Sequence, residues 1–169
     1  MTLQNFLDFF AQYGYWFILG VCYCEYLNLP GFPAGIIMPA IGILAAQSNL
    51  NLWLALTLSI VAGTLASLTI YLICRYGGAP LLHKLFSKSK GFTNFVIQCR
   101  EKIEHGGNKA LFVCRLIPVL RTIVSIPAGL LAVPVRDYIV WSTAGIACWN
   151  TVLIVFGYFG SGMVMQWLG

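Results

Sequence analysis

Residues 115–129 read RLIPVLRTIVSIPAG, an apolar stretch that contains two arginines and two prolines. A charged side chain near the centre of a bilayer costs at least about 2.5–3.5 kcal/mol, so packing alone does not account for Arg115 and Arg121. On an unbroken helix the two side chains would point about 120° apart. Helix breaks at Pro118 and at residues 127–129 would allow both guanidinium groups to face one polar cavity. Arginine keeps its charge there, and its planar set of N–H donors matches a phosphate or a carboxylate.

The composition places the chain in a membrane. Of its 169 residues, 59% are hydrophobic and 9% are charged, and the mean hydropathy is +0.82. A soluble domain of this length does not need so apolar a composition. Residues 26–74 and 138–169 contain no Asp, Glu, Lys or Arg, and about 20 such residues suffice for one crossing. The sequence therefore predicts an all-α integral membrane protein.

The net charge of +5 is concentrated in one segment. Residues 75–109 contain seven basic and two acidic side chains, and the rest of the chain is neutral overall. A basic segment beside membrane spans predicts a cytoplasmic location by the positive-inside rule. Nucleic-acid binding is the other common reason for a basic run, but no stacking aromatic residues alternate with these charges, so no nucleic-acid partner is expected. The six cysteines lack the spacing of a zinc site or a redox pair, and neither a metal nor another cofactor is expected.

Prolines, glycines and apolar runs divide residues 1–169 into six segments of a single membrane domain. The predicted segments are an interfacial helix over residues 1–14, a first broken, re-entrant hairpin over 15–47, a transmembrane helix over 52–74, a basic amphipathic segment over 75–109, a second re-entrant hairpin over 110–133 and a transmembrane helix over 138–160. The last helix is expected to end near residue 160, where the sequence reads GYFGSG. Trp53, Tyr71 and Tyr76 are interpreted as interfacial anchors of the first transmembrane helix.

The two hairpins carry a similar motif. Residues 29–37 read LPGFPAGII and residues 124–131 read VSIPAGLL, so both place Pro-Ala-Gly in an apolar stretch that does not continue as a regular helix. Two such units on either side of a cytoplasmic segment predict an inverted repeat, in which each broken segment enters the membrane and returns. The residues expected to form these hairpins are Pro30, Pro33, Gly35, Pro118, Pro127 and Gly129.

Glu25 is the one acid in the apolar part of the first hairpin, and it is the expected counter-ion of Arg115 and Arg121. One glutamate against two arginines leaves a positive charge that a lipid phosphate could neutralise. An alternative for Arg115 is an ordinary position at the headgroup level, with its side chain extended to the membrane surface. Arg121 lies deeper, which favours a functional role. Arg75 is most simply a cytoplasmic-edge anchor, and Asp137 a helix cap.

Together these motifs resemble the DedA family of membrane proteins, also called VTT-domain proteins. The family pattern has a glutamate before a Pro-Gly-rich hairpin, a span that ends in tyrosine and a basic-Gly segment, and Arg-x-x-Pro-x-x-Arg leading to Pro-Ala-Gly. The matching features here are Glu25 with LPGFPAG, Tyr71 with RYGG, residues 115–121 and residues 127–129. Many members carry a second acid just after the first hairpin's proline, where this chain has Gly35, so one candidate proton carrier is missing.

The resemblance implies that the protein moves a lipid with a phosphate headgroup, undecaprenyl phosphate or a phospholipid, between the leaflets of a bacterial cytoplasmic membrane. It implies transport roles for Glu25, Arg115 and Arg121, and coupling to protons is a further alternative. Two other classes stay open, an enzyme that acts on lipid phosphates and a structural membrane protein that binds partners. The two histidines and five acids are not clustered as in phosphatases or metal-dependent phosphotransferases, so transport ranks first. A homo-oligomer is also left open.

Overall fold

The computed structural model describes residues 3–27, 35–47, 50–86, 97–98, 101, 103–107, 109–117 and 120–168. These residues form helices and connecting turns, and no strand occurs among them, which confirms the all-α class. The helices are α1 (Leu3–Tyr26), α2 (Ile37–Gln47), α3 (Leu52–Phe86), α4 (Lys109–Arg115), α5 (Leu120–Ile123), α6 (Ser125–Leu130) and α7 (Val135–Leu168).

Among the described helices, two are long and apolar enough to cross a bilayer. The stretches Leu52–Gly77 of α3 and Val135–Gly162 of α7 contain 26 and 28 residues. At about 1.5 Å per residue, each exceeds the roughly 30 Å of a hydrocarbon core. Both predicted transmembrane helices are therefore confirmed as helices of sufficient length and composition. α2 is equally apolar, but its 11 residues are too few to cross alone.

The ends of both long helices differ from the prediction. α3 continues past residue 74 to Phe86. The expected end of the last helix near residue 160 is wrong, because α7 continues through GYFGSG to Leu168. A glycine in a helix interior costs only about 1 kcal/mol, and without a proline no backbone hydrogen bond is lost. The hydroxyl of Ser161 also bonds to the Tyr158 carbonyl at 2.7 Å within the same turn.

The break expected in the first apolar segment is confirmed by the helix ends on either side of it. α1 ends at Tyr26 and α2 begins at Ile37, while Pro30 and Pro33 lie outside the described residues. Gly35 has φ +95°, a left-handed conformation that strains any residue with a side chain. α1 is one helix from Leu3, so the expected interfacial segment and the apolar residues that follow it share a helix.

The second apolar segment forms three short helices, α4, α5 and α6, in place of one span. Pro118 lies outside the described residues, whereas Pro127 lies in the first turn of α6, where its missing N–H removes no helical hydrogen bond. The segment ends at Ala132, which has φ +50°. The interruption predicted from the sequence is confirmed, and re-entry into the membrane stays a prediction.

The chain divides into two compact units. We call residues Met1–Gly63 with Trp149–Gly169 the first unit and Thr64–Cys148 the second unit. In the first unit, α2 and α7 pack backbone to backbone, because a Cβ atom added at Gly42 would overlap the Ile154 carbonyl. The small residues of α3 are buried, which permits close helix approach. Ala62 and Gly63 belong to the first unit, and Ala66 and Ser67 belong to the second.

The second unit has a core that surrounds Tyr71 and Tyr138, both almost fully buried. α6 approaches α3 closely, since a Cβ atom added at Gly129 would come within 2.6 Å of the Tyr71 carbonyl. Ile103, which lies in the segment predicted to be amphipathic, is buried in this core.

Candidate functional site

Arg115 is the last residue of α4 and one of the most buried side chains of the second unit, with 1% of its surface exposed. Its Nη1 atom donates to Ser67 Oγ at 3.2 Å and to the Arg121 carbonyl at 3.3 Å. Its Nη2 atom donates to Tyr138 Oη at 2.9 Å and to Ser125 Oγ at 3.3 Å. Arg115 therefore does not extend to a membrane surface, and the structure supports the buried alternative.

The oxygens around Arg115 come from four different helices. Ser67 lies on α3, Arg121 on α5, Ser125 on α6 and Tyr138 on α7. The Tyr138 hydroxyl is itself 2.7 Å from Ser125 Oγ and 3.0 Å from the Ser67 carbonyl. The cluster thus ties the broken segment to both long helices.

An aromatic pair supports one side of this cluster. The rings of Tyr71 and Tyr138 are stacked with centroids 4.2 Å apart. The Tyr71 hydroxyl donates to the Val133 carbonyl, and Arg75 Nη1 bonds to that hydroxyl and to the same carbonyl. Tyr71 is fully buried, so its interpretation as an interfacial anchor is wrong. Arg75, interpreted as an edge anchor, is half-buried and bonds back to the chain.

In the second unit, Arg115 Nε and Ser142 Oγ are buried without a hydrogen-bond partner among the described residues. Ser142 lies one helical turn after Tyr138 on α7. Gly145 lies on the same face, and a Cβ atom added there would be 2.8 Å from Arg115 Cβ. The aliphatic part of Arg115 therefore packs along the helix face that carries Ser142.

Arg121 belongs to the same unit and is 2% exposed. Its backbone N–H bonds to the Ile117 carbonyl at 2.9 Å, and its own carbonyl accepts from Arg115 Nη1. The structure thus brings the two predicted arginines into direct contact through the backbone of Arg121.

Glu25 lies near the end of α1 in the first unit and is 2% exposed. Its Oε1 atom accepts a hydrogen bond of 3.4 Å from the backbone N–H of Gly35. The carboxylate therefore joins the two ends of the first helix break. The structure describes Glu25 in the first unit and the arginines in the second, and a cavity shared by all three stays a prediction.

Several residues of the cluster were not predicted from the sequence. Ser67, Tyr71 and Arg75 follow one another at intervals of four on α3, and Tyr138 and Ser142 do so on α7. Such spacing places polar groups on one face of an apolar helix, so these residues could have been predicted from the sequence. Ser125 carries no comparable signal, because a single serine in an apolar stretch is common in helices.

Two described helices that could cross a bilayer, with a cation buried between them, are typical of an integral membrane protein. Comparison with known proteins identifies the family. The VTT domain matches residues 32–159. A match over more than half of the chain shows that it belongs to the VTT domain family, as the resemblance to DedA proteins predicted.

Three relatives illustrate the range of proteins that are similar to the chain. Undecaprenyl phosphate transporter A of Staphylococcus aureus is 28% identical over 158 residues, which are 91% of this chain and 77% of the relative. The protein of the same name from Bacillus subtilis is 31% identical, over 80% of this chain and 67% of the relative. An alkaline phosphatase-like protein of Lactococcus lactis is 25% identical, over 86% and 70%. No solved structure matches the chain.

Proposed function

We propose that the protein moves lipids with a phosphate headgroup between the leaflets of a bacterial cytoplasmic membrane. The observation that carries this proposal is the environment of Arg115. Among the described residues, the hydrogen-bond partners of this buried cation are neutral oxygens only. Neutral groups satisfy its N–H donors but do not cancel its charge, whereas an anionic headgroup would do both.

The substrate that fits best is undecaprenyl phosphate, with phospholipids as the alternative. Two relatives bear the name undecaprenyl phosphate transporter A, and together they match most of this chain. In our proposal Arg115 and Arg121 bind the headgroup phosphate while the lipid tail stays in the bilayer. Glu25 neutralises the arginines when the headgroup is absent, and it is the candidate proton carrier if transport is coupled to protons.

The proposed topology follows from the broken helices and the charge distribution. The segments around Gly35 and Pro118 enter the membrane as two hairpins of opposite orientation within one membrane domain. The helix ends at Tyr26 and Ile37 and the short helices α4, α5 and α6 support the interruptions that such hairpins need. The basic segment 75–109 faces the cytoplasm. A homo-oligomer remains a further proposal, tested by the mass of the purified protein in detergent.

Leaflet exchange in liposomes tests the proposed function. The purified chain should accelerate the exchange of a fluorescent undecaprenyl phosphate analogue, and Arg121→Ala and Glu25→Gln should reduce the rate. Arg136→Ala is the matched control, because it removes an exposed arginine from the first turn of α7. If folded wild-type protein does not accelerate exchange of this analogue or of a phospholipid, the protein has a structural role instead.

A phosphatase is the second candidate function, because the relative from Lactococcus lactis is named alkaline phosphatase-like. Purified protein incubated with undecaprenyl phosphate and phosphatidic acid would release inorganic phosphate if this candidate were right. Release that disappears in Arg121→Ala and persists in Arg136→Ala would replace transport as the proposed function. We expect no release above that from empty liposomes.

A further inference from the structure

We propose that Arg115 and the hydroxyls of Ser67, Ser125, Tyr138 and Ser142 form a headgroup subsite that selects phosphate monoesters over phosphodiesters. The proposal rests on the proposed function, since it assigns the substrate class of the same arginine. All five residues lie in the second unit. The subsite can be tested by binding alone, independently of any transport across the membrane.

The terminal nitrogens of Arg115 have a full set of hydrogen-bond acceptors within the chain. Each of its two terminal nitrogens bonds to two oxygens, so the four N–H groups of Nη1 and Nη2 have four acceptors. Three of these acceptors are hydroxyl groups. A hydroxyl both donates and accepts, so it can turn from the guanidinium towards an anion without leaving its own position. The Arg121 carbonyl only accepts hydrogen bonds, so it cannot turn towards an anion in this way.

The cluster also contains polar groups that have no hydrogen-bond partner, beside the groups that do. Arg115 Nε and Ser142 Oγ are buried and have no partner among the described residues. Leaving a buried polar group without a partner is costly. Arg115 packs against α7 at Gly145, and Ser142 lies on the same helix face between Tyr138 and Gly145. These two groups point to a further polar ligand that binds at this contact.

The chemistry of the cluster favours a phosphate monoester as that ligand. A phosphate monoester has three terminal oxygens and a charge of about −1.5 to −2 at pH 7. A diester has two terminal oxygens and a single charge. One guanidinium with an unused Nε, together with four hydroxyls, offers more donors than a diester can accept, and a monoester uses more of them. Polyprenyl phosphates and phosphatidic acid are both monoesters.

The described arrangement is closed to a headgroup. Arg115 is 1% exposed and Ser125 and Ser142 are equally buried. A phosphate therefore reaches the guanidinium after a local movement in which the hydroxyls exchange partners. The stack of Tyr138 on Tyr71 is independent of the Tyr138 hydroxyl, so the ring can keep its position during this exchange.

Calorimetric titration of the full chain in detergent micelles tests the subsite. The ligands are farnesyl phosphate, its methyl diester and inorganic phosphate. Wild-type protein should bind farnesyl phosphate about tenfold more tightly than the diester, which corresponds to one additional charge-assisted hydrogen bond. Tyr138→Phe and Ser142→Ala should each reduce this ratio to about threefold or less. Tyr138→Phe preserves the stacked ring and removes only the hydroxyl.

Two variants of the first unit are matched controls. Tyr26→Phe and Ser59→Ala also remove buried, hydrogen-bonded hydroxyls. They should lower the melting temperature and leave the monoester-to-diester ratio unchanged. If both cluster variants keep the wild-type ratio, or lose affinity for both lipids equally, the hydroxyls have only a structural role and the proposal is overturned.

The remaining outcomes are also decisive. Equal affinity of the wild-type protein for monoester and diester overturns the selectivity. Inorganic phosphate that binds as tightly as farnesyl phosphate overturns the assignment to a lipid headgroup. A ratio that responds to Tyr138→Phe in a protein that shows no leaflet exchange supports the subsite and refutes the transport.

Discussion

The two units each bury a polar cluster, one neutral and one built around a cation. In the first unit the Tyr26 hydroxyl donates to Asn150 Oδ1 at 2.7 Å, and Asn150 Nδ2 donates to Ser59 Oγ at 3.2 Å. Ser59 in turn donates to the Leu56 carbonyl at 2.8 Å. This neutral cluster satisfies its own hydroxyls and amide within the chain.

The cluster around Arg115 differs in both charge and completeness. Among the described residues, the hydrogen-bond partners of its cation are neutral, and Arg115 Nε and Ser142 Oγ have none. A satisfied neutral cluster stabilises a fold, whereas a charged cluster with unused groups is more costly to bury and is retained where it serves a function. The comparison predicts that substitutions in the neutral cluster change mainly stability and those around Arg115 change mainly binding.

The largest expected effect is that of Arg115→Met. Methionine fills much of the volume of the arginine side chain and removes the cost of burying a charge, which offsets the hydrogen bonds lost by the hydroxyls. The variant should therefore stay folded while its leaflet-exchange rate falls about a hundredfold, because charge-assisted hydrogen bonds contribute about 1.5–3 kcal/mol each. The rate in liposomes and the melting temperature should be measured on the same preparation.

Arg136→Met controls for the loss of one positive charge, since Arg136 is exposed at the start of α7. It should exchange lipid at the wild-type rate. An Arg115→Met protein that retains half of the wild-type rate, or that fails to fold, would show that this cluster is structural like the neutral one.

The fold could be predicted to the level of helix class, long apolar helices and interruptions. Uninterrupted apolar runs and the prolines and glycines between them carry that information locally. The end of α7 could not be placed, because glycine weakens a helix without breaking it, and the packing of its neighbours decides the outcome. Gly157 is an example, since a Cβ atom added there would overlap the Pro39 carbonyl of α2.

The site was predictable where charge revealed it and not where it depended on tertiary contacts. Arg115 and Arg121 are conspicuous because a cation in an apolar stretch is costly. Tyr138 and Ser125 resemble ordinary residues of apolar helices, and their contacts with Arg115 span 23 and 10 residues. Such partners are fixed by how α4, α6 and α7 pack, which no local pattern records.

The second prediction tests whether the first unit responds through stability. Gly42→Ala should lower the free energy of unfolding by about 1–3 kcal/mol, because the new methyl group would overlap the backbone of Ile154 and Tyr158. Gly20→Ala is the matched control, since no atom lies within 4 Å of a Cβ atom added there, and it should raise stability by about 0.5–1 kcal/mol. Chemical unfolding in detergent measures both. Equal effects of the two variants would contradict the close contact of α2 and α7.

The third prediction concerns pH and applies to the charged cluster only. The second pKa of a phosphate monoester is about 6, so most of the ligand molecules lose one negative charge when the pH falls from 7.5 to 5.5. The affinity for farnesyl phosphate should therefore fall about threefold, because a ligand with less negative charge binds a guanidinium more weakly. The methyl diester keeps a single charge and should bind equally at both pH values. Tighter binding of farnesyl phosphate at pH 5.5 would contradict the assignment of a doubly charged monoester to this cluster.

Tyr71→Phe has the smallest expected effect, and it tests how far the charged cluster extends. Tyr71→Phe keeps the stack on Tyr138 but removes the hydroxyl that bonds to the Val133 carbonyl and to Arg75. Losing that hydrogen bond should cost about 1 kcal/mol of stability and leave the monoester-to-diester ratio within twofold of wild type. The same measurements on Tyr138→Phe should show the opposite pattern, because its hydroxyl contacts Arg115 directly. If Tyr71→Phe also abolished the ratio, the selective cluster would extend through the tyrosine stack to Arg75, and that half-buried arginine would join Arg115 as a binding residue.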